Sequence, residues 1–142
     1  CETKVEKELD GYTIFVYTPL MVVYEKLRAI CQQLPDYTEK IRQTPRSRAR
    51  DFFDIHRILT KLNLESQCVS VESLEILKEI FAAKHVPTQL LFEIASQKEF
   101  HAHDFHSVKD TVIAKRELKG FDFYFNYVLC LGSRHQTEIY VR

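Results

Sequence analysis

The sequence has no surplus of charge of either sign, since its twenty Lys and Arg are matched by twenty Asp and Glu. No molecule-wide field draws in nucleic acid or a membrane, so any anion site must be local. It also lacks paired cysteines. The four, at positions 1, 31, 68 and 130, show neither C-x-x-C nor any other metal spacing, and they read as reduced thiols of a cytoplasmic protein, with Cys31 and Cys130 in the core. No apolar run approaches the length of a membrane span and no secretory pattern opens the chain, which argues for a soluble, internal protein without a membrane partner. Internal repeats, low-complexity tracts and an obvious interdomain linker are missing too. Methionine is nearly absent: the one example, Met21, falls inside a predicted helix while the chain opens on Cys1. The sequence therefore reads as a fragment or processed C-terminal region of a longer product.

What is present is one domain's worth of ordinary globular composition, 45% hydrophobic and 28% charged over 142 residues. Its organising stretch runs from Tyr17 to Leu59. Thr18 can cap a helix whose first position is Pro19, where the missing N–H costs nothing. At a helical period Leu20, Val23, Leu27, Ile30 and Leu34 form one stripe, widened by Tyr24 and Cys31. Glu25, Arg28 and Gln32 face the other way. Lys26 alone among the charged residues lies against the apolar face, either snorkelling at a core rim or placed for chemistry.

A second helix repeats the arrangement. Phe52, Ile55, Leu59 and Leu62 define its buried stripe, with Ala49 and Phe53 at its flanks. Asp51 sits at the rim, in the first turn, where the helix dipole favours a carboxylate and Arg48 is within reach. Asp54 points further outward, with Arg50 four residues before it and Arg57 three after, the spacing of an exposed ion-pair ladder. Arg46, Arg48 and Arg50 crowd ahead of Asp51, and guanidiniums at a helix N-terminus suit phosphate.

Around this stretch, Lys4–Leu9 and Tyr12–Tyr17 flank Asp10-Gly11, the preferred two-residue hairpin turn. The second strand is apolar or β-forming on both faces, as in a larger sheet. A lone hairpin is marginal, so further strands must come from a missing segment, another chain or Thr137–Val141. Asp36–Pro45 reads as a polar surface loop and Asn63–Cys68 as a break. Ser70 opens a helix through Val71, Leu74, Leu77, Ile80 and Phe81, and a short helix through Leu90, Leu91, Ile94 and Ala95 covers Thr88–Gln97. Val108–Leu118 is predicted helical. Phe121–Leu131, apolar nearly all round, should be the most buried helix, with Gly132 ending it and a polar tail, or a short strand, after it. His101, His103, Asp104 and His106 are a rival site: they can ligate a metal such as zinc, or be histidines satisfied by backbone and carboxylates at a helix entry.

The run Glu25-Lys26-Leu27-Arg28-Ala29, followed by Arg48-Ala49-Arg50-Asp51-Phe52-Phe53-Asp54-Ile55, resembles the C-terminal part of the AbiEii-type nucleotidyltransferases. These are the toxins of abortive-infection and type IV toxin–antitoxin systems, in which an E-K-L-x-A helix precedes an R-x-[KR]-D-x-x-D-[IL] helix. The resemblance implies an α+β, mostly helical fold: residues 1–17 would be a β-hairpin completing the sheet of a missing nucleotidyltransferase domain, and 18–142 a helical C-terminal domain. It also implies an intact enzyme that binds a nucleoside triphosphate with magnesium and transfers a nucleotidyl group to an acceptor, with tRNA as the candidate and a cognate antitoxin as a further partner. Lys26 would contact nucleotide phosphate and Asp51 would be a catalytic or site-organising carboxylate, with Arg48, Arg50 and Arg46 on nucleotide or RNA phosphate and Asp54 as a secondary candidate. The family's G-S motif and metal-binding D-x-D carboxylates lie upstream of the matching region, so this chain alone is expected to be inactive. Two other readings stay open: a non-catalytic interaction domain in which Lys26 and Asp51 form an interhelical salt bridge, and a metal-dependent hydrolase built on His101, His103, Asp104 and His106.

Overall fold

A computed structural model describes the chain apart from residues 1–4, 10–11, 17, 113–114 and 141–142, with backbone alone at 5–9, 12–16, 115 and 136–140. Strands β1 (Val5–Leu9) and β2 (Tyr12–Val16) pair antiparallel, with Val5 opposite Val16 and Leu9 opposite Tyr12. The expected Asp10-Gly11 turn lies outside the described residues. Every described residue from Pro19 onward is helical or connecting, so the described fold is mostly helical.

Helix α1 (Pro19–Cys31) starts as its sequence dictates, with the Thr18 hydroxyl accepting from the Met21 N–H at 3.2 Å and Pro19 in the first turn. Leu20, Val23, Tyr24, Leu27, Ile30, Cys31 and Leu34 are all buried. Helix α3 (Ala49–Lys61) buries Ala49, Phe52, Phe53, Ile55 and Leu59. Leu62 departs from the expected stripe and is 51% exposed, because the helix stops at Lys61 and the chain turns away through Asn63 in the left-handed region.

Between them, α2 (Pro35–Ile41) replaces the expected loop. Pro35 occupies its first turn, where its missing N–H costs nothing, and Asp36 in the first turn and Lys40 in the last suit the backbone dipole. A short α4 (Glu65–Cys68) fills what reads as a break, and α5 (Val71–Ala83) begins at Ser70, whose hydroxyl accepts from the Ser73 N–H. Arg42, Asn63 and His85 end α2, α3 and α5 with φ of 54°, 53° and 56°, conformations that usually recruit glycine.

Thr88–Gln97 is a 3₁₀ helix. Its threefold repeat stacks Leu91 on Ile94 in the core and leaves Ala95 exposed, contrary to the α-helical stripe expected. Helices α6 (Lys98–Ala102) and α7 (Phe105–Thr111) follow, then a 3₁₀ turn at Lys115–Glu117, so no single helix spans 108–118.

Helix α8 runs from Phe121 to Tyr140, through Gly132 and through the expected tail or strand. Glycine costs a helix interior about 1 kcal/mol. Burial of Leu131 before it and His135 after it outweighs that. The helix is one-sided rather than buried all round: Phe121, Tyr124, Phe125, Val128 and Leu131 face inward, while Phe123, Asn126 and Cys130, spaced three and four apart, face out. Cys130 is thus exposed rather than core, whereas Cys31 is buried. Helix α1 packs against α3, α5 and the first 3₁₀ helix, and α3 packs in turn on α7 and α8, so the two helices carrying the sequence motifs form the centre. Among the described residues no helix is long and apolar enough to cross a membrane.

Candidate functional site

The contact between α1 and α3 is apolar except where Lys26 meets the first two turns of α3. Lys26 Nζ donates to Asp51 Oδ1 at 3.0 Å and to Asp54 Oδ2 at 3.1 Å. Asp51 Oδ2 accepts from Arg48 Nε at 2.6 Å, and Asp54 Oδ1 from Arg50 Nε at 3.1 Å. Arg50 also reaches the Thr111 hydroxyl of α7 at 2.6 Å. Five charged side chains thus form one network, three cations and two carboxylates, with Lys26 at its centre.

Asp51 is the most deeply placed of them, 6% exposed, with a cation on each oxygen. Burial on its own would lower the Lys26 pKa. The Asp51 and Asp54 carboxylates outweigh it, and the ammonium is held more firmly charged than an ordinary lysine. Asp54, explained from sequence by an exposed ladder alone, keeps its Arg50 rung and gains Lys26. Arg57 instead lies over the Phe53 ring, 5.9 Å from its centroid.

The start of α3 is fixed from behind by the histidine segment. His101 is buried, and its Nδ1 accepts the Arg48 backbone N–H at 3.0 Å, satisfying an orphan donor at the helix entry. Ser47 Oγ bridges the His101 carbonyl at 2.8 Å and Asp104 Oδ1 at 2.5 Å. Burial pushes the His101 pKa down to about 4 against the pull of Asp104 and Asp51, so the ring is neutral near pH 7. His103 and His106 are exposed, and among the described residues no three His, Cys, Asp or Glu side chains converge as a metal would need. The rival metal reading therefore gives way to a brace: His101 spends its Nδ1 lone pair on the backbone of α3. Backbone satisfaction is one of the two readings the segment offers, and only the fold supplies the partner, Arg48, more than fifty residues away.

A hollow of about 200 Å³ opens beside the network, lined by Ser47, Arg48, Arg50, Asp51 and Asp104. Arg46 stands outside it. Its backbone N–H donates to Gln33 Oε1 at 2.7 Å and its side chain is exposed. The structure thus brings Lys26, Asp51, Asp54, Arg48 and Arg50 together and leaves Arg46 apart.

The two motif helices therefore meet through the lysine of one and both aspartates of the other. The family described as nucleotidyl transferase AbiEii toxin, type IV TA system, matches residues 2–127. The chain belongs to the AbiEii family. No curated protein and no solved structure matches it. The AbiEii resemblance read from the α1 and α3 motifs thus extends over nearly the whole chain. The chain's single Gly-Ser dipeptide, Gly132-Ser133, lies within α8, so it is no phosphate-cradling turn of the kind an AbiEii G-S motif would make.

Proposed function

We propose that these residues form the C-terminal region of an AbiEii enzyme that binds a nucleoside triphosphate and transfers its nucleotidyl group to the hydroxyl of an RNA acceptor, with tRNA as the substrate to test first. Residues 1–17 would be the edge of the catalytic sheet, and 18–142 the helical domain that closes on the nucleotide. The observation that carries this reading is the Lys26–Asp51–Asp54 junction, flanked by Arg48 and Arg50 beside an open hollow.

Lys26 is a compact point charge held at a fixed place by two carboxylates, which suits a triphosphate oxygen. Phosphoryl chemistry asks little covalent help of a protein beyond positioning and charge. The hollow itself is lined by two guanidiniums, Arg48 and Arg50, and two carboxylates, Asp51 and Asp104, so a phosphate there would be held by directed guanidinium hydrogen bonds and not by a net positive field. Asp51 acts by orienting Lys26 and Arg48 together. Magnesium would supply the Lewis acid for the leaving pyrophosphate. Asp51 and Asp54 do not fit it: each already has a cation on both oxygens, and no further acidic group converges on them among the described residues.

The test is nucleotidyl transfer by the longer natural product, extended upstream of Cys1, with each labelled nucleoside triphosphate, magnesium and total tRNA. Labelled tRNA that disappears in folded Lys26→Ala and Asp51→Ala variants is the expected result. Labelling that survives both substitutions would remove these two residues from the site, and no labelling with any nucleotide would leave the interhelical bridge as a structural feature of an interaction domain.

A further inference from the structure

The outward side of α3 is built differently from the junction at Lys26. Phe53, His56, Val112, Leu118 and Tyr124 wall a hollow of about 120 Å³ between α3, α7 and the start of α8, with Arg57, Lys61 and Glu117 also lining it. A second hollow shares Leu118 with it and adds Lys109 and Lys119. Their linings carry four cations to one carboxylate, in a chain whose charges cancel overall. The larger groove between α2 and the first 3₁₀ helix has the opposite balance, with Asp36, Glu39 and Glu93 against Lys40 and Lys84. No ion pair among the described residues engages Arg57, Lys61, Lys109 or Lys119.

The walls are aromatic and held edge to face. His56 meets Phe123, Tyr124 and Tyr127 at centroid distances of 5.1, 5.3 and 4.7 Å, and Tyr124 meets Phe53 at 5.2 Å. Phe123 continues this surface outward, edge to face with His56 and Tyr124 and still 43% exposed. Arg57 lies over Phe53 and Lys109 over Phe105 at 5.7 Å, so cations and rings are interleaved. Cations with no carboxylate partner beside an exposed ring suit a flexible, regularly charged chain of flat bases, and a duplex would hide those bases.

We propose that this surface binds unpaired nucleotides of an RNA strand, stacking bases on Phe123 and His56 and holding phosphates with Arg57, Lys61 and Lys119. This deepens the acceptor half of the function proposed above by giving the RNA a docking surface separate from the Lys26 junction.

The experiment is fluorescence anisotropy of the protein with a labelled single-stranded RNA about 12 nucleotides long, with the same length of duplex RNA and with ATP as competitors. Binding to the single strand should weaken more than tenfold in Arg57→Ala/Lys61→Ala/Lys119→Ala, and the slope of log affinity against log salt should fall by about 2. These side chains are exposed, so the triple variant should keep the parent circular dichroism spectrum. Phe123→Ala should weaken binding about tenfold with the salt slope unchanged. No binding, equal loss to duplex RNA, displacement by ATP at equal concentration, or indifference to both variants would each overturn the proposal. Lys40→Ala, an exposed cation of the groove beside α2, should bind as the parent does. Since the readout needs no transfer, lost transfer with intact binding would count against the enzymatic reading alone.

Discussion

Helix α3 meets its neighbours in two chemical languages. Toward α1 it offers Asp51 and Asp54 to a single lysine, and toward α8 it offers Phe52 and Phe53 to a cluster of rings, with Phe52 lying 5.2 Å from Phe125, 5.4 Å from Phe121 and 5.1 Å from His101. The aromatic side buries apolar area and is tolerant of exact geometry, so it supplies stability. Buried and half-buried charges contribute little net stability after desolvation but tolerate few arrangements, so the ionic side supplies position. The same helix anchors the fold with one side and holds a defined charge pattern with the other.

The largest blow should fall on the aromatic side. Phe52 is fully buried, and Phe52→Ala should cost about 3–5 kcal/mol in chemical denaturation, taking the ionic network with it. A cost below about 1 kcal/mol would place the stability of α3 elsewhere.

Acid should strike next, through two buried histidines. His101 braces the ionic side, and His135 of α8 is buried with Nε2 3.1 Å from the Cys68 carbonyl. Burial lowers both pKa values from 6.5 to about 4. The unfolded chain therefore takes up protons that the folded chain refuses: stability is full above pH 6.5 and is lost as the pH falls toward 4, by on the order of 3 kcal/mol per histidine. Denaturation midpoints measured between pH 7 and 4 should show this slope, and His101→Gln should remove about half of it.

Asp51→Asn should cost roughly 2 kcal/mol, because Lys26 and Arg48 lose a charged partner while staying partly hydrated. A double-mutant cycle with Lys26→Met should give a coupling of about 1–2 kcal/mol. If the junction serves transfer, the double variant regains stability without regaining activity. If it is only a bridge, whatever the protein does should return with stability. The smallest effect belongs to Arg50→Ala, whose ion pair is 51% exposed on the arginine side and should change stability by only about 0.3–0.5 kcal/mol.

The ionic side was legible because its parts are local. Thr18-Pro19, the apolar period of each helix and the placement of Lys26 and Asp51 are all read within one or two turns, and α1 and α3 follow them closely. What was illegible depended on distance or on competition. His101 and Asp104 matter to Ser47 and Arg48 only because the fold returns after more than fifty residues, and a run of histidines reads either as a metal site or, as here for His101, as a ring satisfied by backbone, with nothing local to name the amide. Gly132 reads as a helix end because local preference says so, yet the burial of Leu131 and His135 carries α8 past it. Cys130 was placed inside because the segment is apolar, although its spacing from Phe123 and Asn126 puts it on the outward face.

The three left-handed helix ends have an evolutionary side. The chain contains three glycines and uses none at Arg42, Asn63 or His85, where a glycine would relieve strain of roughly 1 kcal/mol at the two residues other than asparagine. Those positions are unspent reserves: Arg42→Gly and His85→Gly are changes by which this lineage could absorb a destabilising substitution elsewhere, such as one that reshapes the charge pattern at Lys26, without losing its fold.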